Sequence, residues 1–121
     1  MPARVLAQRP PERPLLLSID LRSGRITAVG ELDRLVAHRL SDALHALSVT
    51  GHRSWTIDAA GITFCDAEGL RALAGATTLA EERGCTLRLV AASPFTVRLL
   101  RLTGLSHLVD RAADRSPLDA A

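Results

Sequence analysis

Apolar and polar residues alternate from Leu15 to Leu21, with Leu15, Leu17, Ile19 and Leu21 on one side and Ser18 and Asp20 on the other, which predicts a strand. Ser23-Gly24 supplies a tight turn, and Ile26–Val29 is a second short strand closing a hairpin. Gly30-Glu31-Leu32-Asp33 interrupts the alternation, and Asp33 is placed to cap a helix. In that helix Val36, Leu40, Ala43, Leu44 and Leu47 form one apolar stripe, and Gly51 lies past its end. Ser54–Asp58 reads as the third strand and residues 59–65 as a connecting loop. Asp66 then opens a helix with the stripe Leu70, Leu73, Ala74, Thr77 and Ala80, stopped at Arg83-Gly84. Thr86–Val90 alternates as a fourth strand. Ser93-Pro94 is an N-cap with proline at the first helical position, opening a third helix that runs to Thr103-Gly104. Leu105–Val109 reads as a last strand, and residues 110–121 as a short helix and a tail.

The predicted order is β-β-α-β-α-β-α-β. Strands separated by helices require parallel crossovers, and the opening hairpin adds one antiparallel pair. The expected fold is therefore α/β: a small mixed sheet covered by helices, spanning residues 14–115. A Pro/Arg-rich leader, 1–13, precedes it and a tail, 116–121, follows.

Composition narrows the function. The chain has 121 residues, one domain's worth, and is 47% hydrophobic, enough to bury a core. Its aromatic residues are Trp55, Phe64 and Phe95 alone, too few for the stacking platforms that bind single-stranded nucleic acid. The net charge of +2 resides in residues 1–14, where three arginines meet one glutamate; the remaining twelve arginines balance twelve acids. The domain thus has no basic excess for a phosphate backbone, and no nucleic-acid partner is expected. Every basic residue is arginine, which removes lysine nucleophiles and a Walker lysine. The two cysteines, Cys65 and Cys85, form neither a C-x-x-C nor a disulfide framework, as expected of a reducing cytoplasm. The four histidines are scattered, so no metal site and no cofactor are expected. No apolar run reaches 18 residues, and the leader lacks the apolar core of a signal peptide, so no membrane insertion is expected.

Residues 58–71 concentrate the candidate chemistry. Cys65 precedes a helix start, but Asp66 beside it raises its pKa, and a small apolar loop cysteine is the plainer reading. Asp66 suits an N-cap and Glu68 the first turn, where the helix dipole favours negative charge, so both acids are explained without catalysis. Gly69 inside the first turn costs helix stability. Either something approaches the backbone from outside, or the helix packs tightly on a strand.

The stretch Thr56–Leu70, TIDAAGITFCDAEGL, resembles the STAS family (sulphate transporter and anti-sigma factor antagonist). That family reads as a strand ending in Asp, a small loop, then Asp-Ser-Ser/Thr-Gly-Leu opening a helix. Gly30-Glu31-Leu32-Asp33 resembles its G-x-L-D turn, and Ala92–Leu105 its third helix with a T-G-L exit. The resemblance spans Leu15–Val109. It implies a non-catalytic module that binds an anti-sigma factor which is also a serine kinase. The kinase phosphorylates a serine in the Asp-Ser-Ser/Thr-Gly motif, and the modified antagonist lets go. The expected partner surface is Gly30, Glu31, Asp33, Asp58, Thr63, Phe64, Asp66, Ala67, Glu68, Gly69 and Arg71. Arg71 is placed to reach an acid on a partner or to stay in solvent.

The sequence departs from the family at the switch. Ala67 and Glu68 occupy the hydroxyl positions, with Glu68 where the phosphorylated serine stands. A carboxylate carries less charge and fewer acceptor oxygens than a phosphate. Two outcomes stay open: a permanent phospho-mimic that binds the usual kinase poorly, or a partner re-tuned to Glu68. Thr63 and Ser93 are the substitute phosphosites to consider, although both fit loop and cap roles. The resemblance also allows a STAS subunit of a membrane transport complex, such as an ABC-type lipid transporter, which needs no phosphorylation. An unpaired sheet edge could support a homodimer.

Overall fold

A computed structural model describes residues 15–109. The leader at 1–13, residue 14 and the expected helix and tail at 110–121 lie outside the described residues.

The strands are β1 (Leu16–Asp20), β2 (Arg25–Leu32), β3 (Ser54–Cys65) and β4 (Thr86–Val90). They form one mixed sheet in the order β1-β2-β3-β4. β1 and β2 are antiparallel, while β2–β3 and β3–β4 are parallel. The helices are α1 (Ala37–Ser48), α2 (Ala67–Glu82) and α3 (Pro94–Leu102). Both parallel crossovers step the same way along the sheet, and such connections are right-handed, so α1 and α2 share one face and pack on each other.

Alternation decides which residues meet those helices. Ile26, Ala28 and Leu32 of β2, Trp55, Ile57, Ala59, Ile62 and Cys65 of β3, and Leu87 and Leu89 of β4 are buried under Leu40, Leu44 and Leu47 of α1 and Leu73, Ala76 and Ala80 of α2. Leu100 of α3 and Leu108 belong to the same cluster. Trp55 is buried whole, and its indole N–H donates to the His52 carbonyl at 3.1 Å, leaving no stranded donor. The opposite sheet face carries Arg25, Thr27, Thr56, Asp58 and Arg88 and stays partly open.

Several details depart from the sequence pattern. β2 continues through Gly30-Glu31-Leu32, and the expected loop at 59–65 is the second half of β3. Two bulges hid this. Thr27 and Val29 face Asp58 and Gly61, and Gly30 and Glu31 face Ile62 and Phe64, so β3 twice carries one extra residue. Each extra residue shifts the in–out pattern, and Gly30 takes a φ of 119° that suits glycine. Asp33 does not cap α1. Its carboxylate accepts the Leu35 amide at 3.0 Å, closing an Asx-type turn, and the helix begins at Ala37 with no side-chain cap.

The α2 stripe is Gly69, Leu73, Ala76 and Ala80, with Ala76 buried where Ala74 was expected. The expected last strand at Leu105–Val109 is helical instead. The Leu108 and Val109 amides bond to the Leu105 and Ser106 carbonyls, and Leu108 enters the core. Its period-2 pattern was only five residues long, too short to distinguish from a helical turn.

Candidate functional site

β2 and β3 run on past the last residue of β4 that pairs, Val90 opposite Asp58. Their C-terminal ends therefore form a two-stranded extension, followed by the start of α2 and the turn before α1. Strand pairing sets Gly30 beside Ile62 and Glu31 beside Phe64. Two segments more than thirty residues apart in sequence thus become neighbours on one edge of the molecule.

Asp66 ties this end together. As N-cap of α2 its Oδ1 accepts the Gly69 amide at 2.9 Å, and its Oδ2 accepts the Arg34 amide at 3.2 Å. One carboxylate thus satisfies an orphan donor of α2 and fastens the 33–36 turn to it. The Asp66 amide donates to the Leu32 carbonyl at 3.3 Å, closing the connection on its other side. Asp66→Ala removes both side-chain bonds. It should destabilise the fold by about 1–2 kcal/mol, read as a lower midpoint in urea unfolding, with faster amide exchange at Arg34 and Gly69.

Gly69 is buried, and the approach to its backbone is internal. A Cβ built there would lie 2.2 Å from the Leu32 carbonyl oxygen and 2.9 Å from Cys65 Sγ. The helix crosses the end of β2 at contact distance, and no outside ligand is needed to explain the glycine.

The surface over this scaffold is mixed. Phe64 is 45% exposed and Leu35, at the tip of the Asp33–Val36 turn, 71%. Thr63 and Ala67 are also exposed. Glu68 projects from the first turn of α2 and forms an ion pair with Arg71 one turn on. The positions joined here are Gly30, Glu31, Asp33, Thr63, Phe64, Asp66, Ala67, Glu68, Gly69 and Arg71.

Asp58 lies apart, six residues back along β3 from Phe64, about 15–20 Å at the usual rise per residue. It sits on the partly open sheet face in an ion pair with Arg25 at 2.9 Å. The Ala60 amide, bonded to Asp58 Oδ1 at 3.0 Å, and then the Arg25 guanidinium hold its carboxyl below the usual carboxylate range.

Residues 15–110 match the family model described as Mlab, STAS domain. The chain belongs to the STAS family. An anti-sigma factor antagonist from Mycobacterium paratuberculosis is similar in structure, with a TM-score of 0.65 and 25% identity over 84% of this chain and 86% of its own. The Bacillus cell fate determinant SpoIIAA in its phosphorylated form has the same fold at 17% identity and a TM-score of 0.61, covering 84% of this chain and 98% of that one. The anti-sigma factor antagonist SpoIIAA in its unphosphorylated form aligns at 17% identity with a TM-score of 0.62, covering 84% and 95%. No curated protein matches the sequence.

Within this STAS domain Cys65 is a packing residue. Burial, and then the adjacent Asp66 charge, push its thiol up to about 11. At pH 8 only about one Cys65 in a thousand is thiolate. Cys65 should therefore stay unlabelled by Ellman's reagent in the native protein at pH 8 and react once the chain is unfolded in guanidinium; fast native labelling of Cys65 would contradict its burial.

Ser93, considered as a substitute phosphosite, caps α3. Its Oγ accepts the Thr96 amide at 3.2 Å and donates to Thr96 Oγ1 at 3.1 Å. Leu35 is the surface residue that the sequence pattern passes over. The apolar stripe of α1 assigns Val36 to the core and leaves Leu35 without a role; a leucine off the stripe, in the turn before the helix, was the available signal. Among the described residues, no group of three His, Cys, Asp or Glu could hold a metal ion. No described helix is long and apolar enough to cross a membrane.

Proposed function

We propose that this STAS protein is a non-catalytic regulatory module of the bacterial cytoplasm, an anti-sigma factor antagonist that binds an anti-sigma factor acting also as a serine kinase. The observation that carries the reading is the convergence, on one exposed end, of Gly30–Glu31, Thr63–Phe64 and the first turn of α2. These are the segments whose motifs resemble those of the antagonists. Similarity at 25% identity to a mycobacterial anti-sigma factor antagonist supports it. The docking surface comprises Glu31, Asp33, Leu35, Thr63, Phe64, Ala67, Glu68 and Arg71, with Asp66 and Gly69 as its scaffold.

SpoIIAA is known in both a phosphorylated and an unphosphorylated form. In this chain Glu68 stands at the position that the motif gives to the phosphorylated serine, and a kinase has no hydroxyl there to modify. Binding should therefore be indifferent to ATP. The test is titration calorimetry of the protein against the purified anti-sigma factor kinases of its own genome, with and without Mg-ATP. One kinase should bind with an affinity that prior incubation with ATP leaves unchanged.

A second reading is a STAS subunit of a membrane transport complex, such as an ABC-type lipid transporter. Ala67 and Glu68 favour it, since such a subunit needs no phosphorylatable hydroxyl. Failure to bind any of the kinases, together with co-purification with a permease and its ATPase, would establish it in place of the first.

A further inference from the structure

Exchanging a serine for Glu68 puts a permanent charge on the docking surface, and the structure shows what that charge meets. Two other carboxylates at this end are held by the backbone: Asp66 accepts the Gly69 and Arg34 amides, and Asp33 accepts the Leu35 amide. Glu68 is held differently. Its Oε2 accepts from Arg71 Nη1, one turn further along the same exposed helix face, with the two side chains 45% and 68% exposed. The charges match. One guanidinium cancels one carboxylate, whereas a phosphate, at roughly −1.5 to −2 with three acceptor oxygens, would remain anionic beside the same arginine.

We propose that Arg71 is a positioning residue that cancels the charge of Glu68, so that this position meets its partner as a neutral pair at all times. Affinity is then set by a pair built into α2 and not by covalent modification. A carboxylate entering an interface unpaired is desolvated without compensation, whereas a pair formed beforehand enters with its charge already balanced and its geometry fixed. This inference rests on the antagonist reading and gives it a sign: the module is held in the binding-competent state.

The test is a double-mutant cycle read by calorimetry against the purified anti-sigma factor kinases, with circular dichroism confirming that each variant folds. Arg71→Gln should weaken binding by at least about thirtyfold, because it leaves Glu68 charged and alone in the interface. The double variant Glu68→Gln/Arg71→Gln should return to within about threefold of wild type, because it removes both charges. A role of Arg71 in helix stability alone would not be rescued by removing its partner.

The proposal is overturned if Arg71→Gln binds as wild type does. It is equally overturned if the double variant stays as weak as Arg71→Gln, which would mean that Arg71 acts through its own contact with the partner and not by balancing Glu68. If only Glu68→Ser binds a kinase, the antagonist reading stands and the cancellation fails. If neither wild type nor Glu68→Ser binds any of them, the antagonist reading itself fails, and the proposal with it.

Discussion

Gly69→Ala should lower stability by about 2–3 kcal/mol, a loss of roughly 10 °C in Tm for a domain of this size. Two effects of opposite sign compete. Alanine in place of glycine within a helix ordinarily gains about 0.5–1 kcal/mol. Here the new methyl would lie 2.2 Å from the Leu32 carbonyl oxygen, a backbone atom that no rotamer change can move aside. Relief requires α2 to lift off the end of β2. That stretches the bond from the Asp66 amide to Leu32 and disturbs the cap holding the 33–36 turn.

Gly75 in the same helix provides the control. It is exposed, and a Cβ there would meet nothing within 4 Å. Gly75→Ala should therefore stabilise the protein by about 0.5–1 kcal/mol. Urea unfolding followed by fluorescence of the buried Trp55 measures both. Equal behaviour of the two variants would show that α2 does not cross β2 as closely as the structure has it.

Phe64→Ala should weaken binding to the proposed partner kinase by about thirtyfold or more, the cost of truncating an aromatic anchor where the proposed docking surface is centred on it. Phe64 is the one aromatic side chain on the paired ends of β2 and β3, and strand pairing fixes it beside Glu31. Being only half buried, it contributes to the fold less than a core residue does, so the loss should appear in Kd much more than in Tm. Asp58→Asn tests the boundary of the surface. Asp58 is held by Arg25 on the sheet face, away from the strand ends, and its neutralisation should leave partner affinity within about twofold. Calorimetry on both variants decides. A large loss from Asp58→Asn with none from Phe64→Ala would move the docking surface onto the open sheet face.

Much of the fold was legible in the apolar stripes. Leu40, Leu44 and Leu47 of α1, Leu73 and Ala80 of α2, and the alternation of β4 all lie where their spacing put them. What escaped was the second half of β3, because its two bulges break a pattern that must repeat every two residues to be seen. The geometry of the candidate site was legible to the same extent. The N-cap role of Asp66 and the first-turn place of Glu68 are local, and sequence spacing captures them. The pairing of Glu31 with Phe64 and the reach of Asp66 to Arg34 depend on strand register, which no local motif encodes. Gly69 was ambiguous for the same reason. Its demand for space is set by Leu32, which is 37 positions earlier and becomes a neighbour only after the crossover through α1.

The proposed surface should bind an anti-sigma factor kinase without a phosphorylation switch. The most direct test compares wild type with Glu68→Ser for binding to the partner kinase before and after incubation with Mg-ATP, with phosphate incorporation followed by mass spectrometry. Wild type should bind equally well in both conditions and gain no phosphate. Glu68→Ser should bind at first, gain one phosphate on the introduced hydroxyl and dissociate. Phosphorylation of wild type at Thr63 or Ser93 with loss of binding, or failure of both proteins to bind any such kinase, would contradict switch-free binding.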